Sequence, residues 1–276
     1  MPGLIQPIFY EPAKHLAKLC VRPEYRQWQW LQTRYGSVPR QTPRSIRLHG
    51  WNLEVPDVPS FLTTYYAIFV QDIYRYQSPT PTPLILDCGA NIGLSVLYFK
   101  RLFPQARILA FEADPQHREI LKHNIHGNGF TDVELIHQAV WTKETTVSFS
   151  SLGTDAGRID VGGDDHLVQV PAVRLARYLE TRNVDFLKVD IEGAEIDVLF
   201  NCAPLLGRVG RVFVEYHSFL HRPQDLGRLL DVFQQQGFRV HIHSIGTSKQ
   251  PFAKIDSPAG MDLQLNLFFS KASPAA

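Results

Sequence analysis

The 276-residue chain is 44% hydrophobic and 20% charged, with a mean hydropathy of -0.14. That balance excludes both a mostly disordered chain and a multi-span membrane protein, and the length suits one large domain or a domain with an appendage. A formal net charge of +1 is too even for the electrostatic footprint with which most nucleic-acid binders hold phosphates, so no nucleic-acid partner is expected. Cys20, Cys88 and Cys202 lie far apart with no CxxC pair, against a disulfide scaffold or zinc finger. No apolar run reaches the roughly 18 residues that cross a bilayer, and the first residues lack a charged leader followed by an apolar stretch. A cytoplasmic location is the expectation. The even charge hides an asymmetry: residues 1–50 carry Lys14, Lys18, Arg22, Arg26, Arg34, Arg40, Arg44 and Arg47 against only Glu11 and Glu24, so the remainder is net acidic.

In chain order, residues 11–35 and 61–76 have helical patches, with Trp28, Trp30, Tyr65, Tyr66, Phe69, Tyr74 and Tyr76 needing a packing surface. The alternating prolines of SPTPTP at 78–83 mark a boundary, leaving residues 1–80 as a largely helical lid or interface and 81–276 as the main domain. Downstream, strands are expected at Leu84–Cys88, Ile108–Glu112, Val133–Ile136, Asp185–Val189 and Arg211–Glu215, with a small extra strand at Val147–Phe149. Helices are expected from Leu94 to before Pro104, from Asp114-Pro115 to about Gly127 or Gly129, at Val173–Glu180, from about Ala194, and at Pro223–Gln236. Residues 151–169 read as a loop. Arg239–His243 and Leu263–Phe269 leave no room between them for a crossover helix and should pair antiparallel. The pattern is α/β: a mostly parallel, doubly wound, seven-stranded Rossmann-like sheet with an antiparallel last strand.

In such a sheet ligands bind beyond the carboxyl ends of the strands. After the first strand, Asp87-Cys88-Gly89-Ala90-Asn91-Ile92-Gly93 forms a glycine turn in which Asn91 tolerates a left-handed conformation. Asn91 and Leu94 stand where the dinucleotide fingerprint GxGxxG has its second and third glycines. Glu112, at the end of the second strand, can accept hydrogen bonds from both hydroxyls of a ribose. Together these describe a nucleoside cofactor without an obligatory pyrophosphate, which S-adenosylmethionine fits better than NAD. After the fourth strand, Asp190, Glu192 and Glu195 crowd one strand end around Gly193. Glu195 suits a helix N-terminus, while repulsion could raise the pKa of Asp190 or Glu192, or a cation could neutralise them. His217, closing Glu215-Tyr216-His217, is a natural proton acceptor at neutral pH.

DCGANIG, FEADP, LKVDIEGAE and VFVEYH, in this order and spacing, resemble the FkbM family of S-adenosylmethionine-dependent methyltransferases over about residues 84–220. The resemblance implies a class I methyltransferase fold and O-methylation of a hydroxyl on a sugar, glycolipid or secondary metabolite. It implies cofactor contacts from Asp87, Gly89, Ala90, Asn91, Gly93, Glu112, Ala113 and Ala139, with His217, Asp190 and Glu192 near the acceptor. His217 is then the first choice of base, and Asp190 or Glu192 the second. No spacing demands a metal, though Asp190, Glu192 and Glu215 could hold a divalent cation. Small-molecule or glycan acceptors are the expected partners, and the N-terminal segment is the expected surface of any homo-oligomer, its arginines available to an anionic acceptor. A nicotinamide oxidoreductase or epimerase and a non-catalytic cofactor-binding protein are the competing classes; Tyr74, Tyr98 and Tyr178 lack the Lys four residues on that the former commonly has.

Overall fold

The computed structural model describes residues 21–150, 158–159, 167–257 and 260–271. The chain before residue 21, with Lys14, Lys18, Glu11 and Cys20, lies outside the described residues, as does most of the expected 151–169 loop.

After helix α1 (Pro23–Tyr35) the chain forms a β-hairpin that the sequence reading missed, β1 (Arg44–Leu48) and β2 (Trp51–Val55). From Ser45 on the hairpin alternates: Ile46, Leu48, Leu53 and Val55 are each 1% exposed, while Ser45 and Arg47 face out. His49 and Gly50 both have positive φ (51° and 91°), as two-residue hairpin turns require. Asp57 then caps α2 (Val58–Tyr65), its carboxylate accepting from the Ser60 amide, and a π-helical turn, Tyr66–Val70, follows without a break.

The main sheet is built from β3 (Leu84–Cys88), β4 (Arg107–Phe111), β5 (Glu134–Ile136), β10 (Val184–Val189), β11 (Val209–Phe219), β12 (Phe238–Thr247) and β13 (Met261–Lys271). Their order across the sheet is β12-β13-β11-β10-β3-β4-β5, and β13 alone runs antiparallel to its neighbours. This is the Rossmann-like class I methyltransferase arrangement. Between them lie α3 (Leu94–Leu102), α4 (Arg118–Ile125), α5 (Ala176–Glu180), α6 (Glu195–Cys202) and α7 (Leu226–Gln235). A second small sheet, ordered β6-β9-β7-β8, contains β6 (Ala139–Trp141), β7 (Thr145–Ser150), β8 (Arg158–Ile159) and β9 (Leu167–Arg174). Two sequence expectations shift here. β9 runs through Val173, because Ala139–Trp141 offers Ala172–Arg174 a parallel partner. The helix after Asp114-Pro115 begins only at Arg118, because the Asp114 carboxylate closes its own turn on the Gln116 amide.

Strand alternation divides the core. Leu84, Leu86 and Cys88 point to one face, where α5, α6 and α7 pack; Ile85 points to the other, with α3 and α4. The second cluster also contains the hairpin, α2 and Tyr74, so residues on both sides of the proline-rich stretch share one hydrophobic cluster.

Asn124 in α4 joins the hairpin to the turn after β3. Fully buried, it accepts from the Glu54 amide (2.7 Å) and donates to the carbonyls of Glu54 (3.0 Å) and Ile92 (2.9 Å). Replacing it with Ala strands these buried backbone groups, so Asn124→Ala is expected to lose roughly 2–3 kcal/mol. A urea melt should show a lower midpoint with an unchanged slope.

Candidate functional site

A cavity of about 510 Å³ opens along the carboxyl edge of the main sheet, bounded on one side by residues between Pro56 and Tyr74. On its first wall, Gly89, Asn91 and Gly93 all have positive φ (86°, 49° and 95°). Two independent demands hold the glycines. A Cβ on Gly89 would sit 1.8 Å from the Asp190 carbonyl oxygen, and one on Gly93 would sit 2.7 Å from Ile125 Cδ1. The turn is sewn to β4: the Gly89 and Ala90 amides donate to Phe111 O, and the Asn91 amide donates to Glu112 Oε2 at 2.7 Å. The second Glu112 oxygen accepts from the Asp114 amide at 2.8 Å. Glu112 is 8% exposed, and burial raises its pKa against the opposing influence of His117 and these amides. Each oxygen keeps a lone pair for a further donor.

Gly89, Ala90, Asn91, Glu112, Ala113 and Ala139 all line the cavity. Asp87 and Gly93 lie behind the lining of this wall. Asp87 is fully buried beneath the turn, accepting from Ser95 Oγ at 2.5 Å and lying 3.4 Å from Lys188 Nζ. The parallel pairing of Lys188 with Asp87 in β10 and β3 sets this contact.

The second wall holds Lys188, Asp190, Glu192, Glu215 and Gln264. Lys188, 2% exposed, donates to Gly89 O at 2.8 Å and lies 3.1 Å from an Asp190 oxygen. Burial alone would lower its pKa, but Asp190 and Asp87 outweigh burial and raise it well above the ordinary value. A charged residue inside the otherwise apolar run Phe186-Leu187-Lys188-Val189 was the available signal for Lys188, which the sequence reading passed over. Glu192 has φ 56°, a left-handed conformation that disfavours side chains other than glycine. Its carboxyl is pushed up to about 8, first by burial and then by Asp190 and Glu215, with His217 opposing.

His217 occupies a different place from the one a proton acceptor needs. Its ring is wholly buried and lies off the cavity wall, with Nδ1 3.0 Å from Glu195 Oε1. Nε2 lies 3.5 Å from Glu192 and 3.6 Å from Glu215. Burial would discharge the ring, but Glu195 and Glu192 dominate and raise its pKa well above 6.5. These carboxylates favour the imidazolium form, which has no lone pair to accept a proton. Glu195, the first residue of α6, accepts from the amides of Ile191 and Gly193 and so fixes both the loop and the ring. One ligand atom each from Asp190, Glu192 and His217 lies within 4.8 Å of the others, a spacing a cation can span.

None of the described basic N-terminal residues, Arg22, Arg26, Arg34, Arg40, Arg44 and Arg47, lines the cavity itself, though Arg40 bonds Asp57 (3.0 Å) and Ser60 on its rim. No described helix is long and apolar enough to cross a membrane.

Residues 87–240 match the Methyltransferase FkbM domain, more than half of the chain. This chain belongs to that family. Among curated relatives, Methyltransferase 1 of Beauveria bassiana is 31% identical over 157 residues, covering 48% of this chain and 63% of that protein. The 2-O-methyltransferase NoeI of Sinorhizobium fredii is 27% identical over 157 residues, 49% of this chain and 64% of that protein. The chain thus spans less than two thirds of the length of these relatives. Among solved structures, methyltransferase FkbM from Methylobacillus flagellatus KT is 13% identical, with a TM-score of 0.45 over 76% of this chain and 53% of that one.

S-adenosylmethionine is the cofactor that the FkbM family and this fold take, and the first wall fits it chemically. Glu112 offers lone pairs to ribose hydroxyls, and Ile92, Ala113, Val140 and Phe149 supply an apolar surface for a base. Among the described residues, Lys188 is the only Lys or Arg lining the cavity, and two carboxylates flank it. A pyrophosphate would therefore meet no free cation here.

Proposed function

We propose that this FkbM-family chain transfers the methyl group of S-adenosylmethionine to a hydroxyl of a small-molecule acceptor, with Glu192 taking the hydroxyl proton. The observation that carries the reading is the single cavity in which the turn-and-Glu112 wall faces Asp190, Glu192 and Glu215. Oxygen as the acceptor atom is supported by the relative named a 2-O-methyltransferase. A small acceptor is supported by residues Pro56 to Tyr74 bounding the cavity and by its lack of free cations for a nucleic-acid backbone.

When bound, S-adenosylmethionine supplies a sulfonium-activated methyl; transfer makes an O–C bond, breaks the C–S bond and leaves S-adenosylhomocysteine. The chain's own work is alignment and proton removal. Lys188 ties the cofactor turn, through Gly89 O, to Asp190 on the acceptor wall. Glu192, pushed up to about 8, is in its ionised form a stronger base than a free carboxylate and suits removal of a hydroxyl proton as the O–C bond forms, so turnover should rise with pH toward that value. His217, anchored by Glu195, acts as a positioning residue that holds Glu192 and Glu215 together.

Calorimetric titration with S-adenosylmethionine, S-adenosylhomocysteine and NAD, followed by a methyl-transfer screen of hydroxylated acceptors, tests the reading. Micromolar binding of the first two without NAD is expected; tight NAD binding would sink it. His217→Gln should bind S-adenosylmethionine normally yet turn over roughly 100-fold slower, because the Glu192 carboxylate is no longer held. Turnover should survive EDTA, since proton removal by Glu192 and its positioning by His217 call on no cation. Activity lost to EDTA and restored by Mg²⁺ would instead make Asp190, Glu192 and His217 cation ligands.

A further inference from the structure

The turn that carries Glu192 is held from behind the cavity wall as well as from within the site. Glu192 and Gly193 are successive residues with positive φ (56° and 107°), a backbone course that costs free energy and persists only where its surroundings enforce it. The Asp190 amide fixes the start of the turn by donating to Cys88 O at 3.1 Å. At the far end both polar backbone groups of Gly193 are held by charged side chains. Its N–H donates to both Glu195 oxygens at 3.0 Å, and its carbonyl accepts from Arg222 Nη1 at 2.7 Å. Arg222 reaches there from the chain leaving β11, past the shift in β11–β13 register between Ser218 and Phe219. Its Nη2 donates to Asp197, in the first turn of α6, at 2.9 Å. One planar guanidinium thus bridges the Glu192–Gly193 turn to the helix that follows it, with a fork that Lys lacks. Phe219 closes the same side, since a Cβ on Gly193 would sit 2.6 Å from its Cε2. Arg222 does not line the cavity, so any effect it has on the reaction passes through the turn.

Resting on the reading of Glu192 as the base, we propose that Arg222 is a positioning residue for methyl transfer. By clamping the Gly193 carbonyl to Asp197 it holds the Glu192 carboxylate at the distance and angle that proton removal requires. A base on an unclamped turn samples other directions, so the loss falls on turnover. Cofactor binding is spared, because Gly89, Asn91 and Glu112 stand on the opposite wall and are held by β4.

The test compares Arg222→Ala and Arg222→Lys in the full chain, with Arg228→Ala as the control for loss of a surface arginine, its guanidinium pairing with Asp225 at 3.0 Å. Amide hydrogen exchange is followed with S-adenosylhomocysteine bound, and turnover is measured on the best acceptor from the methyl-transfer screen. Arg222→Ala should speed exchange of the Ile191 and Gly193 amides about tenfold while the amides of β3 and β10 keep their protection. Its kcat should fall by up to about 100-fold, with S-adenosylhomocysteine affinity within about twofold of wild type. Millimolar guanidinium chloride, far below denaturing concentrations, should restore part of that turnover, and sodium chloride at equal ionic strength should not. Arg222→Lys, keeping one arm of the fork, should fall between Arg222→Ala and wild type, and Arg228→Ala should match wild type throughout. Unchanged exchange at Ile191 and Gly193 in Arg222→Ala, or faster exchange with turnover unchanged, would overturn the proposal. So would a loss of S-adenosylhomocysteine affinity as large as the loss of turnover, the mark of a merely structural role. A wild type that turns over no acceptor would instead remove the reaction reading, and the exchange comparison would still decide whether Arg222 clamps the turn.

Discussion

Glu192→Gln is expected to lower turnover by roughly a thousandfold while raising thermal stability, with S-adenosylmethionine affinity within about twofold of wild type. The rate loss follows from removing the proton acceptor while keeping its shape. The stability gain follows from proton linkage. In the unfolded chain the Glu192 carboxyl ionises near 4.5; in the fold it is pushed up to about 8 by burial and by Asp190 and Glu215, against His217. The folded state therefore binds the extra proton between those values, and wild-type stability falls as pH rises from about 4.5 to about 8. Glutamine binds no such proton. The variant's melting temperature should match wild type near pH 4.5 and exceed it increasingly toward pH 8, by up to roughly 10 °C, where His217 still has Glu195 and Glu215 as partners. A constant difference across that range, or turnover within tenfold of wild type, would move the base to Asp190.

Gly89→Ala should be among the most damaging small substitutions in the chain. The new methyl would lie 1.8 Å from the backbone oxygen of Asp190, at a φ of +86° that already disfavours an L side chain. Neither strand end can retreat, because β3 and β10 are central and paired on both sides. A loss above about 4 kcal/mol is expected, seen as insolubility or a melting temperature lowered by more than 10 °C. Gly129→Ala separates the two causes: its φ of +92° is similar, but nothing lies within 4 Å of the added methyl. That control should lose only about 1 kcal/mol. If the two variants behaved alike, the close approach of β10 to the turn would not be what fixes glycine at 89.

These two positions also show what was readable along the chain. The turn at 89–93 and the carboxylates at 190 and 192 stood out because a glycine-rich strand end and crowded like charges are local patterns. The hairpin at 44–55 was equally local, an alternation of Ile46, Leu48, Leu53 and Val55 about His49-Gly50, and was passed over in favour of the aromatic patches beside it. Why Gly89 must be glycine was not local: the oxygen it avoids belongs to a residue 101 positions later. The same holds for Glu195, which sequence spacing assigned to a helix N-terminus and the fold also places against His217.

By itself the sequence determined the alternation of strands and helices, the family motifs and the cofactor wall, since each depends on residues within one βα unit. The tertiary structure decided the charge states and the acceptor side. His217 reads as a free base in the chain, and its pull toward the imidazolium arises only when β11 brings it among Glu192, Glu195 and Glu215. The described arginines of the first 50 residues lie outside the cavity lining. They decorate the outside of α1, the hairpin and the intervening turn, while the apolar side of that segment closes over the sheet. Net charge adds over the whole chain, but an electrostatic interaction depends on which groups share a low-dielectric space, and only packing chooses them.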